Sequence, residues 1–163
     1  MTDPSPIHLR PIGIVHSEFK SKVGVPIQTA AAPDARADVE VFPEFAPGLR
    51  DLASFEYVIL VTHMHLVTQE SLEVVPFLDT IPRGVFATRA PNRPNRIGLS
   101  IIRLDSIDGS MLRFSGNDMI DGTPVLDIKP YVPAFDVRQT DRIGWFTGRM
   151  DQLPGKVSDD RMR

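Results

Sequence analysis

The chain of 163 residues carries 18 basic and 21 acidic side chains, for a net charge of −3. That balance excludes a general polyanion binder, and the length fits one domain with a self-sufficient core. Cysteine is absent, which excludes a disulfide framework and any thiolate nucleophile or metal ligand.

The N-terminus, MTDPSPIHLR, lacks the apolar core of a secretory signal. The longest apolar run, Tyr57 to Val61, is too short to span a bilayer. A cytoplasmic protein with no membrane partner is expected. Ile7 to His16 alternates roughly with period two and reads as a strand broken at Pro11. Residues 17–31 read as a loop, with Gly24 and Pro26 and no period. Ala37 to Phe42 is a short alternating strand. Leu49, Leu52 and Phe55 recur at intervals of three, which suits one or two helical turns kept short by Pro43, Pro47 and Gly48. Phe55 to Val67 is rich in β-branched and aromatic residues and gives the strongest strand signal.

Residues 68–83 read as a loop. Gly84 to Thr88 is predicted as a short buried strand. Ile97 to Gly116 holds two apolar-patterned runs joined at Asp108-Gly109, a tight hairpin. Thr123 to Asp136 is extended, and Pro124, Pro130 and Pro133 suit an edge or irregular strand. Gly148 to Arg163 is polar and expected to be a loose tail. Together these elements predict an all-β fold: a small closed β-barrel with short helical turns over residues 1–147, then a flexible tail over 148–163.

Three constellations carry chemistry. The first is GVFATRAPNRPNRIGLS, residues 84–100. From Arg83 to Arg103 there are five arginines and no acid, so this window is +5 on a body that sums to −8. Pro91 and Pro94 forbid a helix and stiffen the loop, so its guanidiniums are preorganised for carboxylate or phosphate oxygens. The competing reading is a structural loop whose arginines pair with acids elsewhere. The second is GNDMIDGTPVLDIKPY, in which Asp118 and Asp121 sit on a turn before a strand. It suits a cation, a hydroxyl or an amine, or plain turn chemistry. The third is His63 and His65, two residues apart on the predicted strand and so on one face. With no third ligand in sight, a site-lining role outweighs a metal role. Neither a G-x-G-x-x-G nor a P-loop is present.

GVFATRAPNRPNRIGLS followed by DGTPVLDIKPYVP resembles the paired signature of the TsaA-like (TrmO) family of tRNA methyltransferases. The likeness extends to PIGIVHS, to VPIQ and to GLRDLASFEYVILV, and covers about residues 10–136. It implies a small closed β-barrel that binds S-adenosylmethionine without a Rossmann fold. It also implies methyl transfer to N6 of threonylcarbamoyl-adenosine beside the tRNA anticodon, and a homodimer; on the histidine count above, no metal is expected. By the same likeness the cofactor residues are Pro26, Ile27, Gln28, His65, Arg89, Leu99, Asp118, Met119, Ile120 and Asp121. His65, Asp118 and Asp121 are then the candidate catalytic groups. Arg93, Asn95 and Arg96 are left to meet RNA.

The chain departs from the family pattern in three places. RPNPIG reads with Arg96 at its fourth position. Leu66 stands where a glutamine is usual. The C-terminal extension of longer members is missing. A small-molecule methyl acceptor, or a non-enzymatic binding module for S-adenosylmethionine or RNA, is therefore the alternative.

Overall fold

A computed structural model of the chain describes residues 5–161. Its eight strands are β1 (Gly13–Ser17), β2 (Arg36–Val41), β3 (Tyr57–His63), β4 (Glu73–Val74), β5 (Arg83–Gly84), β6 (Ile97–Asp108), β7 (Met111–Ser115) and β8 (Pro124–Pro130). Six of them close an antiparallel barrel in the order β1-β2-β7-β6-β3-β8. The fold is therefore all-β, as expected. Short 3₁₀ turns and one four-residue helix, α1 (Pro133–Asp136), connect it.

Strand alternation explains the core. On β3, Val58, Leu60 and Thr62 point inward and are buried, while the residues between them are not. Ile102 on β6, Leu112 and Phe114 on β7, Val39 on β2, Val15 on β1 and Val125 on β8 complete a packed interior. Asp108 pairs with Met111, so the β6–β7 hairpin turns on two residues, and Gly109 takes the positive φ that this turn demands.

Several expectations need correction. The first strand starts at Gly13 rather than Ile7, because Pro11 offers no N–H to a ladder. The long strand ends at His63, and a turn closed by Val67 N–H to Met64 O follows it. Val85 to Ala87 forms a 3₁₀ turn instead of a buried strand, and Phe86 is exposed. The proline-rich β8 is no edge: it pairs with both β1 and β3 and so closes the barrel. A register shift opposite Val61 and Thr62 accommodates its irregular course.

The polar C-terminal segment makes defined contacts. Pro26 bridges to Val157, and Ser158 is buried. The Ser158 hydroxyl accepts from Val25 N–H and donates to Lys22 O.

The turn from β7 to β8 hangs on Asn117, which is fully buried. Its Nδ2 donates to Ser17 Oγ at 2.8 Å and to Met119 O at 3.2 Å, and its Oδ1 accepts from Met119 N–H at 3.0 Å. An Asn117→Ala change strands these partners away from water. It is expected to cost about 3 kcal/mol in chemical denaturation.

Candidate functional site

β3 stops, β6 starts and β7 hands over to β8 around one large cavity, of about 1030 Å³. Ile27, Gln28, His65, Arg89, Arg93, Leu99, Asp118, Met119 and Ile120 line it. The loop residues arrive from four separate stretches of sequence. Gly98 allows them to close up: a Cβ there would stand 2.6 Å from Thr62 Oγ1 and 2.7 Å from Met64 Cε.

Arg89 follows the 3₁₀ turn at once, and its Nη1 donates to Gln28 Oε1 at 3.0 Å. The cationic loop and the VPIQ loop are thereby joined directly. Asp118 accepts from Ser100 Oγ at 2.6 Å. Part of its surface opens to the cavity, yet protein atoms surround the carboxyl deeply. Desolvation pushes it up to about 6, opposed first by the Ser100 hydroxyl, then by the amides of Asp118 and Thr29, and last by the charge of Arg89. His65 sits in the turn after β3, with Nε2 3.7 Å from where a Cβ of Gly122 would be. Burial and then His63 lower its pKa, with Asp121 opposing, so the imidazole is neutral at pH 7.

Other expected site residues lie elsewhere. Asp121 does not line the cavity. Its Oδ1 accepts from Ser17 N–H at 2.9 Å, and its Oδ2 pairs with Lys20 Nζ at 2.8 Å. Those contacts hold it well below the usual carboxylate range, the Lys20 bond first. It ties the β7–β8 turn to β1. Pro26 is buried against Val157.

Arg93 does not reach outward. Its Nη1 donates to Thr88 O at 3.0 Å and Ala90 O at 3.1 Å, binding the loop to itself. Asn95 lines a separate cavity of about 350 Å³. Arg96 holds φ +52, a left-handed conformation that a proline cannot take, so the departure at this position is one of backbone as well as charge. Its Nε is buried without a hydrogen-bond partner. His63 ends β3 opposite Ile97 while His65 lies past the strand, so the two do not share a strand face. Among the described residues no three histidine or carboxylate side chains cluster as metal ligands.

Sequence reasoning missed two parts of the site. Ser100, buried on β6, gave no signal beyond its strand position. Trp145 and Phe146, at the end of the expected barrel domain, and Met150, from the segment expected to be loose, form part of the cavity wall. A lone tryptophan in an otherwise polar stretch was the available signal.

The profile of the tRNA-methyltransferase O N-terminal domain matches residues 14–137, which include all the cavity residues expected from sequence. The chain belongs to the TrmO family. A probable S-adenosyl-L-methionine-binding protein of Pyrococcus abyssi is 51% identical over 98% of this chain and 86% of its own length. The tRNA (adenine(37)-N6)-methyltransferase of Mus musculus is 39% identical over 79% of this chain, which spans 32% of that enzyme. A crystal structure of TrmO from Pseudomonas aeruginosa superposes with a TM-score of 0.72 at 39% identity, covering 86% of this chain and 62% of that one.

The raised Asp118 pKa has a stability consequence in the TrmO-family barrel. Its neutral form suits the fold, so its contribution is complete below the ordinary value of 3.8 and is lost as pH rises through about 6. Asp118→Asn is expected to gain thermal stability over the parent progressively between pH 4 and 7, read as the difference in Tm by calorimetry.

Proposed function

We propose that this chain binds S-adenosylmethionine in the large cavity and transfers its methyl group to N6 of threonylcarbamoyl-adenosine beside a tRNA anticodon. One observation carries the reading: a desolvated carboxylate, Asp118, shares a cavity with a fixed guanidinium, Arg89, in a chain of the TrmO family. The ligand brings the matching groups, namely a carboxylate, an ammonium, a sulfonium and an adenine. Arg89 would hold the carboxylate and Asp118 the ammonium or a ribose hydroxyl. Ile27, Leu99, Met119 and Ile120 offer apolar surface to the adenine. A cationic ligand also removes the main objection to an ionised Asp118, because it neutralises a charge that burial disfavours.

When bound, the cofactor supplies an electrophilic methyl group. The chain's part is alignment of the acceptor nitrogen in line with that methyl, which accounts for several kcal/mol of barrier reduction. A carbamoylated N6 is a poor nucleophile, since its lone pair is delocalised. His65, neutral and on the cavity wall, is placed to accept the proton of that N–H. Asp121 has no such role, because Ser17 and Lys20 occupy it. A tRNA substrate puts the reaction in the cytoplasm. Among the described residues no helix is long and apolar enough to cross a membrane.

Two copies are proposed to pair through the outer face of β3 and β6. Tyr57, Ile97, Leu99 and Ile101 are 38 to 49% exposed there, an apolar stripe that borders the cavity at Leu99. Ile101→Glu should convert a dimer to a monomer in light scattering.

A small-molecule acceptor remains the second reading. Arg93 turns inward and the chain is acidic, so the cationic loop offers less open surface to RNA than its composition promised. Salt separates the two readings: affinity for tRNA should fall steeply with salt, whereas affinity for a small acceptor should not.

Tritiated methyl uptake into threonylcarbamoylated tRNA tests the main reading. Tight cofactor binding without transfer to any RNA would remove the tRNA acceptor, and no binding at all would leave a different activity for the cavity. Arg89→Ala should weaken S-adenosylmethionine by about 1.5–3 kcal/mol in calorimetry. Affinity of the parent protein should also decline as pH falls through about 6, where Asp118 takes up its proton, and the Asp118→Asn variant should lack that decline.

A further inference from the structure

The cavity lining combines two kinds of chemistry. Gln28, Arg89, Ser100 and Asp118 give the lining its polarity, while Phe77, Trp145 and Phe146 add aromatic surface. About 1030 Å³ is at the upper limit of what one small ligand fills, so there is room for a second group beside the cofactor. Trp145 and Phe146 come from a segment that lies beyond the family-matched residues 14–137.

That wall is rigidly built. Trp145 and Phe146 stack at 3.9 Å between ring centroids with 25° between planes. Trp145 Nε1 donates to Ala87 O at 2.7 Å, two residues before Arg89. The aromatic pair is therefore pinned to the same loop that carries Arg89. Arg83 and Arg149 lie 5.7 and 6.0 Å from the Trp145 ring and share one carboxylate, that of Asp79. Two guanidiniums and one carboxylate thus lie against Trp145. A stacked aromatic pair with guanidiniums beside it suits a planar base carrying a phosphate.

We infer that Trp145 and Phe146 form a nucleobase subsite that receives the acceptor's purine next to the methyl donor. This rests on the reading of the cavity as a methyl-transfer site. It adds the C-terminal segment as the element that selects a nucleotide over other acceptors.

Trp145 is the only tryptophan of the chain, so intrinsic fluorescence reports on the wall directly. The test titrates adenosine monophosphate, an adenosine-containing anticodon stem-loop RNA and ribose 5-phosphate into the full chain, with and without S-adenosylhomocysteine. The first two should quench Trp145 saturably, and ribose 5-phosphate should not. Phe146→Ala should weaken both by about tenfold, while the calorimetric affinity for S-adenosylhomocysteine stays unchanged. Phe146→Tyr should restore them, which separates lost stacking from a damaged fold. Quenching by the mononucleotide with no RNA binding would uphold the subsite and remove the tRNA acceptor. Silence of Trp145 toward both nucleotides would overturn the inference. So would competition between adenosine monophosphate and S-adenosylhomocysteine with equal loss of both in Phe146→Ala, since the wall would then belong to the cofactor's own adenine.

Discussion

Asn117 has no access to solvent, and everything its amide needs must come from the protein. The buried amide is satisfied only when Ser17 at the end of β1 and Met119 in the following turn stand in one arrangement. Asp121 reinforces that arrangement by accepting from Ser17 N–H. The β7–β8 turn is consequently clamped to β1 on both sides of Asp118 to Ile120. A barrel closed by β8 has no free edge through which this end can slip. The cavity floor is thus set by core hydrogen bonds rather than by loop chemistry.

On that floor sits a carboxylate in a costly place. Asp118 is desolvated, and only a hydroxyl, two amides and the charge of Arg89 offset the cost. Such a group is stable as an acid and becomes useful as an anion once a cation arrives. Arg89 is the converse: an exposed cation held by a neutral partner, Gln28, that does not cancel its charge. Two opposite charges in one cavity, each held by neutral hydrogen-bond partners, fit a zwitterionic ligand better than a neutral one. Arg93 makes this possible without itself taking part, because its bonds to Thr88 O and Ala90 O hold the loop shape.

Much of the barrel was legible in the sequence for local reasons. The Asp108-Gly109 turn and the alternation on β3 and β6 depend on neighbours a few residues away. The residues that line the cavity were legible through family likeness rather than through pattern. What escaped depends on long-range partners. Asp121 looks like an active-site acid until Ser17, 104 residues earlier, is seen to hold it. Arg93 looks like an RNA contact until its loop folds back on it. The C-terminal segment looked loose because its composition is polar. Within it Ser158 meets partners at Val25 and Lys22 that lie more than 130 residues away.

The central claim is that the Arg89 loop and the Asp118 turn together form one ligand site in this chain. A crystal structure with S-adenosylhomocysteine tests it most directly. Ligand density is expected in the large cavity, with the amino-acid carboxylate on Arg89 and a hydroxyl or ammonium on Asp118. Density outside the cavity, or inside it with neither side chain in contact, would contradict the account.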